Sequence, residues 1–428
     1  MNAPLRRGAC PGLSAPMQTG DGLLVRMLPI GTIPLAAFSA LCAAARQHGN
    51  GIVEVTARGS IQVRGLSPVS APRFAATVAA LGIAADGIAV HTSPLAGFDP
   101  DEILDAETLA VAVRAALAGH AMTAPLSPKI SVAIDGGGAL DLDRLSADIR
   151  LRAELKDRRA VLAVSVGGDR GGATLLGFVA PANAAMAVVR LIGVIAEHGR
   201  NARARDLAAS ECVGQFHTAI GALLLSSDPA LESRSCGNQR TFGIGAYRLR
   251  GGSLACGIGL AFGHADTASL ESLTDVAVAR GATGLRAAPD RALIFNGFSP
   301  AALSGFTAAA EQLGFIVRAD DPRRFVVACA GAPICASAHI AARTLAPRIA
   351  AACASTLGER LTIHVSGCVK GCAHPAPAAL TVVGTAEGSR LVADGAARDT
   401  PFAAVKAEDV PAAIAGFASE MTGKVSHV

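Results

Sequence analysis

The same pattern of glycines, turn residues and apolar positions occurs twice in this chain, at one fixed offset without gaps. Each matched pair of residues differs by 232 in number, as in Gly297 and Gly65 (297 − 65). A match of turn, capping and core positions at one offset is not expected by chance, so the sequence predicts a duplicated fold. The matched pairs are Gly31 and Gly263, Gly49 and Gly281, Gly65 and Gly297, Ser67 and Ser299, Pro68 and Pro300, Phe74 and Phe306, Leu81 and Leu313, and Gly82 and Gly314.

The first copy is typical of a β-α-β-β-α unit of the ferredoxin-like type. An Ala-rich stretch with apolar residues on one face predicts a helix, and the glycines that follow it predict its end. We expect Ser70 to cap the second helix and Gly82 to end it. The predicted elements are a strand within 20–31, a helix at 34–48, strands at 52–56 and 61–64, and a helix at 72–81.

The offset also relates two later loops that differ in chemistry. A predicted strand at 130–134 leads into Gly136-Gly137-Gly138, whereas a predicted strand at 361–365 leads into Ser366-Gly367-Cys368. This asymmetry is expected of a ligand bound between two pseudo-symmetric halves, because glycine lets a backbone approach closely. Between the copies we expect a hairpin around 167–172, a helix near 182–198 and a polar linker at 226–240.

Four cysteines lie in two glycine-containing loops that follow predicted strands. Cys329 and Cys335 have the spacing C-x5-C, and Cys368 and Cys372 have the spacing C-x3-C. Four thiolates suit an iron–sulfur cluster; structural zinc accepts four as well, usually through closer pairs. Buried core thiols are the third interpretation, since free cysteine packs as a small hydrophobe. We favour a metal centre, and we expect packing roles for Cys10, Cys42, Cys212, Cys236, Cys256 and Cys353.

Length and composition limit the class of protein. A chain of 428 residues is too long for one core, and 51% apolar with 17% charged residues predicts a folded protein. One Tyr and no Trp argue against a nucleic-acid platform built on aromatic stacking. The net charge of +4 is small, so an anionic ligand would have to be bound by local clusters of cations. The start of the chain has no apolar signal region, and Arg114 and Arg190 interrupt the apolar stretches at 109–122 and 184–195. We expect a cytoplasmic protein without a membrane partner.

Together, the duplication, the cysteine spacing and the Ser-Gly-Cys sequence resemble the sirohaem-type nitrite and sulfite reductase superfamily. The resemblance covers essentially the whole chain. It implies an α+β fold in which two ferredoxin-like segments pair with each other and each is followed by an α+β catalytic half. The implied boundaries are 1–95 and 96–225 for the first half, and 226–320 (with the linker) and 321–428 for the second half, which carries the cluster.

The resemblance also implies the cofactor and its ligands. Members of the superfamily bind a 4Fe-4S cluster, so Cys329, Cys335, Cys368 and Cys372 are the implied ligands in this chain. In the sirohaem relatives, the cysteine at the position of Cys372 also bridges to the haem iron. Whether Cys372 bridges to another group in this chain stays open.

Several basic residues are candidates for binding a tetrapyrrole that is derived from uroporphyrinogen. Such a molecule is ringed by carboxylates, so its site needs several cations, preferably arginines. Arg58 and Gln62 match the tetrapyrrole-contacting motif Thr-x-Arg-x-x-x-Gln of the family, and Lys129 lies where the reductases have the first of two catalytic lysines. The alternative for each cation is a solvated surface position. The candidate substrate-binding residues are Arg26, Arg58, Gln62, Arg64, Lys129, Arg286, Arg291 and Lys370, of which Arg58 and Lys129 are also candidate catalytic residues.

Two departures from the reductases separate the branches of the superfamily. Ser131 replaces the second catalytic lysine, and the chain has no Arg or Lys between Arg73 and Arg114. Reduction of sulfite or nitrite needs cations around a small anion, so their absence disfavours that reaction. The stretches 9–12, 19–26, 93–97 and 364–375 instead resemble the branch that acts in aerobic cobalamin biosynthesis.

Resemblance to that branch implies a monooxygenase that hydroxylates precorrin-3A at C20 with O2 and closes a lactone with the ring A acetate. NAD(P)H would be the ultimate electron donor. No dinucleotide-binding glycine motif follows a strand, so either a separate reductase or a non-Rossmann contact is implied. A mononuclear non-haem iron is a candidate second cofactor, with His91, His264, His364 and His374 as candidate ligands. These histidines form no recognisable ligand pattern, and the favoured alternative for each is a structural role. One alternative is a sirohaem-dependent sulfite or nitrite reductase. Another is a non-catalytic cluster or zinc protein that acts as an electron carrier or scaffold.

Overall fold

The computed structural model describes residues 11–84, 87–119, 126–226, 243–358 and 361–425. Residues 9 and 10 of the stretch 9–12, almost all of the predicted linker at 226–240, and the end of the apolar stretch at 109–122 lie outside the described residues. Cys10 and Cys236 lie outside them too. Within the described ranges, no helix is both long enough and apolar enough to cross a membrane.

The first half contains ten strands and six α-helices among its described residues. Its ferredoxin-like segment consists of β1 (Met17–Thr19), β2 (Gly22–Met27), β3 (Ile33–Pro34), α1 (Leu35–His48), β4 (Ile52–Val55), β5 (Ile61–Leu66) and α2 (Ser70–Leu81). Its catalytic segment consists of β6 (Ala89–Thr92), α3 (Ala106–Gly119), β7 (Ser131–Asp135), β8 (Ala147–Lys156), β9 (Arg159–Gly168), β10 (Thr174–Val179), α4 (Ala184–Glu197), α5 (Ala204–Ala208) and α6 (Val213–Ile220).

The second half repeats this order among its described residues. Its ferredoxin-like segment consists of β11 (Gly245–Arg248), β12 (Leu254–Gly259), β13 (His264–Asp266), α7 (Thr267–Ala279), β14 (Gly284–Ala288), β15 (Ala292–Phe298) and α8 (Pro300–Gln312). Its catalytic segment consists of β16 (Val326–Ala328), α9 (Ala342–Ala352), β17 (Ile363–Ser366), β18 (Ala378–Thr385), β19 (Gly388–Gly395), β20 (Ala403–Val405) and α10 (Val410–Val425).

The predicted duplication is confirmed at the level of whole elements. The starts of β2 and β12, of α1 and α7, and of β4 and β14 are each 232 residues apart. Local sequence explains the elements: α1 buries Leu35, Phe38 and Leu41 on one face and ends where the Gly49 N–H donates to the Ala45 carbonyl. In β4, half-buried and buried residues alternate, as a strand with one face on the core requires.

The two ferredoxin-like segments exchange short strands. One sheet has the order β1-β2-β5-β4-β13, and the other has the order β11-β12-β15-β14-β3. Each sheet is therefore completed by a strand from the other half: β13 pairs with β4, and β3 pairs with β14. Buried residues of both segments form one continuous core, which contains Phe38 and Phe74 from the first half and Phe295 and Phe306 from the second. The pair behaves as one structural unit.

Each catalytic half has a five-stranded sheet of its own. The orders β6-β7-β8-β9-β10 and β16-β17-β18-β19-β20 are equivalent, with three parallel strands followed by two antiparallel ones. In the first half the loop after β6 contacts the loop after β7, and in the second half the loop after β16 contacts the loop after β17. The loops after β16 and β17 contain the two cysteine pairs.

Two local predictions need correction. Ser70 does not cap α2; it is the first helical residue, and its hydroxyl donates to the His48 carbonyl at 2.7 Å. Strand β6 falls within the predicted segment 1–95 but pairs with β7, so it belongs to the sheet of the catalytic half.

Candidate active site

One large cavity lies between the two halves of the chain. Its volume is about 1280 Å³. The first half contributes β2, β5, the segment 11–15 and the wall at 126–131, and the second half contributes 327–329 and 372–375. A site shared in this way requires both copies of the repeat.

Cations dominate the charged residues of the cavity wall. Seven Arg or Lys side chains line it, with Glu54 as the only Asp or Glu among the described lining residues. Five of the seven had been predicted as substrate-binding residues. The seven are Arg26, Arg58, Arg64, Arg114, Lys129, Arg203 and Arg291, and Gln62 lies among them.

Arg58 is fixed across the cavity wall by the first catalytic half. Its Nη1 donates to the Ser146 carbonyl at 2.7 Å, and its Nη2 donates to the Ser131 hydroxyl at 3.2 Å. His91 Nε2 lies 3.4 Å from Nη2. Burial and the charge of Arg58 lower the pKa of His91 to about 3, so this imidazole is neutral and can accept from Arg58.

The family motif and its neighbours form a second network around Glu54. With its amide nitrogen towards Glu54, Gln62 donates at 3.1 Å, and its oxygen accepts from Nε and Nη2 of Arg26, both at 2.8 Å. Glu54 also accepts from Arg343 at 3.0 Å and lies 3.6 Å from Arg64. The Glu54 carboxylate is therefore a common partner of Gln62, Arg64 and Arg343.

Arg64 is held by a buried ion pair with Asp21. Its Nε and Nη2 donate to the two oxygens of Asp21 at 2.9 and 3.1 Å. Burial alone would raise the pKa of Asp21, but the hydrogen bond and charge of Arg64 outweigh it and hold the pKa below its usual value. Although burial opposes its charge, the pKa of Arg64 is raised, chiefly by Glu54 and Asp21.

Arg291 approaches the cysteine side of the cavity. Among the described residues it makes no hydrogen bond or ion pair through its guanidinium, and burial lowers its pKa, with only Asp290 opposing. It lies near His364 and His374, whose ring centroids are 5.8 Å apart. Burial, His374 and Arg291 lower the pKa of His364 to about 3, so this fully buried ring is neutral.

Lys129 and Lys370 take different positions. Lys129 lines the cavity and is exposed, a position that fits both a substrate contact and a solvated surface cation. Lys370 is not part of the described lining; its Nζ donates to the Ser337 hydroxyl at 2.5 Å, between the two cysteine loops. This contact joins the loops and does not support a direct substrate contact.

Arg286 also lies away from the large cavity. Its Nε donates to the Thr32 hydroxyl at 2.9 Å, and its Nη2 lies 3.5 Å from Glu107. It lines a space of only about 30 Å³, and it is 7% exposed. The structure therefore gives this predicted substrate ligand a place in the junction between the halves.

The two cysteine loops meet at the second-half side of the cavity, where the His339 N–H donates to the Gly367 carbonyl at 2.8 Å. Cys329 and Cys372 line the cavity, whereas Cys335 and Cys368 are not among its lining residues. Burial raises the pKa of Cys329, and nearby Cys372 and Cys368 raise it further. The loops after β16 and β17 therefore bring the predicted ligands into one region, with two sulfurs facing the cavity.

The backbone around these sulfurs fits an iron–sulfur cluster. The Gly367 N–H donates to Cys329 Sγ at 3.1 Å, which is the kind of contact that tunes a cluster. Gly331 and Gly371 have φ of 68° and 62°, so the loops turn where a side chain would be strained. Among the described residues, no group of three or more His, Cys, Asp or Glu is arranged to hold a metal ion.

In the first half, hydrogen bonds join the two loops that correspond to the cysteine loops of the second half. Ser93 and Asp99 follow β6 with the spacing at which Cys329 and Cys335 follow β16. Ser93 donates to the Leu140 carbonyl at 2.7 Å, and Asp99 accepts from the backbone of the glycine loop at 2.6 Å. The two loops therefore contact each other directly, as expected for the copy without a cluster.

The packing roles predicted for Cys42, Cys256 and Cys353 are confirmed. Cys42 and Cys256 are buried in the joint ferredoxin-like core, and Cys353 is buried in the core of the second catalytic half. Burial raises the pKa of Cys42 and of Cys256 to about 12, so these thiols are unreactive. Cys212 is half-buried.

Sequence reasoning missed two cations of the site. Arg114 lies on α3 and pairs with Glu107 at 3.3 Å, and Arg203 pairs with Asp148. Arg114 carried a signal, because it interrupts an apolar helix, but that signal was interpreted only as evidence against a membrane span. Arg203 lies in no motif, so the sequence gave no indication of its position.

Known families match the two parts of the first half. The model of the nitrite/sulfite reductase ferredoxin-like half domain matches residues 15–81, and the model of the nitrite and sulphite reductase 4Fe-4S domain matches residues 84–203. The second match falls on the half without the cysteines. Since both catalytic halves share one fold, the match reports that fold and does not locate the cluster.

Similar proteins extend the match to the whole chain. A precorrin-3B synthase from Sinorhizobium sp is 39% identical over 403 residues, which cover 94% of this chain and 86% of that protein. A ferredoxin–nitrite reductase from Synechococcus elongatus is 24% identical over 86% of this chain and 77% of that protein. The solved structure of NirA from Mycobacterium tuberculosis has a TM-score of 0.71 and 20% identity over 92% of this chain and 79% of that one, which shows the shared fold.

The chain therefore belongs to the nitrite and sulphite reductase family, whose members with this architecture are iron–sulfur oxidoreductases. Identity of 39% over nearly the whole chain places it, within that family, among the precorrin-3B synthases.

Proposed function

We propose that this enzyme binds precorrin-3A in the cavity between its halves and hydroxylates it at C20, with the ring A acetate closing a lactone. One atom of O2 enters the product, and the other leaves as water with two electrons and two protons that come ultimately from NAD(P)H. The observation that carries the proposal is the cavity itself, which is lined by seven cations, one carboxylate and two of the four clustered cysteines.

Charge and size support a tetrapyrrole with many carboxylates. A cavity of about 1280 Å³ is large for a small-molecule site. Arginines recognise carboxylates through paired hydrogen bonds, and Arg26, Arg58 and Arg64 are held in place by neighbours on the wall. We assign substrate carboxylate binding to this group and to Arg291 and Lys129.

The four cysteines are the proposed ligands of a 4Fe-4S cluster, which would supply electrons one at a time. Cys329 and Cys372 would place the cluster at the wall of the substrate cavity, and Gly367 would donate a hydrogen bond to the Cys329 sulfur. A separate reductase is the proposed source of electrons.

Arg58 and Ser131, on the cavity wall opposite the cysteines, would orient the substrate. Arg58 is rigid because the Ser146 carbonyl and Ser131 hydroxyl fix its guanidinium. Ser131 stands where the reductases have their second catalytic lysine, and it accepts from Arg58 there. This contact fits a site that holds a large macrocycle better than one that concentrates cations on a small anion.

The experiment is turnover of precorrin-3A by anaerobically purified, cluster-loaded enzyme under ¹⁸O2 with a reducing system. We expect equal amounts of iron and acid-labile sulfide, no extractable sirohaem, and a product heavier by one ¹⁸O atom. Extractable sirohaem, sulfite- or nitrite-dependent oxidation of a reduced dye, and unchanged precorrin-3A would contradict the proposal and indicate a sirohaem reductase.

A further inference from the structure

Arg203 reaches the cavity from a fixed position directly before α5. Its Nε and Nη2 donate to the two oxygens of Asp148, each at 2.9 Å. Its Nη1 makes no hydrogen bond with a described residue, and it is not a buried atom. One edge of this guanidinium is therefore occupied by protein, while Nη1 stays accessible on a side chain that lines the cavity.

Asp148 ties this arginine to the rest of the wall. The carboxylate is 2% exposed and also accepts from the backbone N–H groups of Ala204 at 3.1 Å and Ser131 at 3.0 Å. A bidentate pair with both oxygens engaged fixes the orientation of the guanidinium as well as its position. Asp148 is thus a positioning residue, because it holds Arg203 in place relative to Ser131, the first residue of β7.

Ser131 carries the connection on to Arg58. Its hydroxyl accepts from Arg58 Nη2 at 3.2 Å, while its N–H donates to Asp148. Two cavity-lining guanidinium groups are therefore joined by one chain of hydrogen bonds, from Arg58 through Ser131 and Asp148 to Arg203. We call this pair the Arg58–Arg203 clamp.

We propose that the Arg58–Arg203 clamp binds two neighbouring carboxylates on one pyrrole ring, and so selects tetrapyrroles that carry both an acetate and a propionate there. The inference rests on the proposed function. Two guanidinium groups that the protein already holds in place bind two anions with little further loss of side-chain freedom. A ring with a methyl group in place of the acetate leaves one arm of the clamp unpaired.

Two stable porphyrins and one matched control test the proposal. Uroporphyrin has an acetate and a propionate on every ring, whereas coproporphyrin has one propionate on every ring. The dissociation constants of both are measured by porphyrin fluorescence with cluster-loaded wild-type protein, Arg203→Gln and Arg205→Gln. Arg205 is the control because its side chain is 67% exposed, pairs with Asp206 on the surface and lies outside the cavity lining.

We expect the wild type to prefer uroporphyrin, and Arg203→Gln to weaken uroporphyrin binding roughly tenfold while changing coproporphyrin binding less than twofold. Arg205→Gln should match the wild type. If Arg203→Gln does not fold because Asp148 loses its partner, Arg203→Lys replaces it, and we expect a smaller loss in the same direction.

The outcomes separate this inference from the proposed function. A wild type that binds neither porphyrin overturns both. A wild type that prefers uroporphyrin, together with a folded Arg203 variant that keeps the full preference, overturns the clamp alone. A structural role for Arg203 would weaken both ligands equally, so the ratio of the two dissociation constants is the deciding measurement.

Discussion

Gly20 of the first half lies directly against Cys335 of the second half, with no room for a side chain between them. The Gly20 carbonyl accepts from the Ala336 N–H at 2.9 Å, and a Cβ at residue 20 would overlap the Cys335 sulfur. The turn between β1 and β2 therefore forms one wall of the proposed cluster site, which needs both halves of the chain.

Gly20→Ala should impair cluster retention without unfolding the chain. The added methyl group would displace Cys335 or the turn, and disturbance of this outer contact is expected to weaken cluster binding roughly tenfold or more. Iron and sulfide per chain after anaerobic purification provide the measurement. Gly193→Ala is the control, since its methyl group would meet nothing within 4 Å. Full iron content in Gly20→Ala would contradict the role of this turn.

Replacing a proposed ligand should remove the cluster itself. Cys368→Ser is expected to lose most of its iron, sulfide and visible absorption, because a cluster needs all four thiolates. Cys212→Ser is the matched control, as Cys212 is half-buried and has no partner at ligand spacing. Equal iron in the two variants would show that Cys368 is not a ligand.

The buried pair of Asp21 and Arg64 should matter far more for stability than an exposed pair of the same type. The side chains are 2% and 9% exposed, so Asp21→Asn leaves Arg64 short of its main partner and should cost about 3 kcal/mol. Asp320→Asn removes a pair whose side chains are 75% and 68% exposed and should cost less than about 0.5 kcal/mol. Urea unfolding compares them, and equal shifts of the midpoint would contradict this ranking.

Acid should destabilise the protein partly through His264. Burial and Arg343 lower the pKa of His264 to about 4 from its usual 6.5, and a hydrogen bond to the Phe262 backbone opposes them only in part. Between these values the unfolded chain binds a proton that the folded chain does not, so stability falls as the pH falls from about 6.5 towards 4.

At about pH 5 this residue should account for a loss of ~2 kcal/mol relative to about pH 8. His264→Gln does not titrate, so its urea midpoint should fall less than that of the wild type over this pH range. Parallel midpoints for the two proteins would show that His264 does not contribute.

The duplicated fold could be predicted because its signals are local. Glycines such as Gly49 and Gly82 end helices by backbone geometry, and they recur at the fixed offset. The exchange of β3 and β13 could not be predicted, since strands of two and three residues carry no periodicity and their pairing is decided by tertiary packing.

The site could be predicted only where residues share a motif or a strand face. Arg58, Gln62 and Arg64 belong to one such run, and all three line the cavity. The prediction for Arg286 was misleading. Arg286 is the equivalent of Glu54 in the second copy (286 − 54 = 232), but there it lines a space of only about 30 Å³ and not the large cavity. Arg203 depends on Asp148, a contact across the fold that no local pattern reports.

The central claim is that a polycarboxylate tetrapyrrole binds in the cavity between the halves, beside the cluster. The most direct measurement is electron paramagnetic resonance of the dithionite-reduced enzyme with bound copper(II) uroporphyrin, whose single copper spin reports its distance to the cluster. We predict strong coupling between the copper and cluster signals, and a lower coupled fraction in Arg58→Gln. Two uncoupled signals at saturating ligand would place the tetrapyrrole elsewhere and contradict the account.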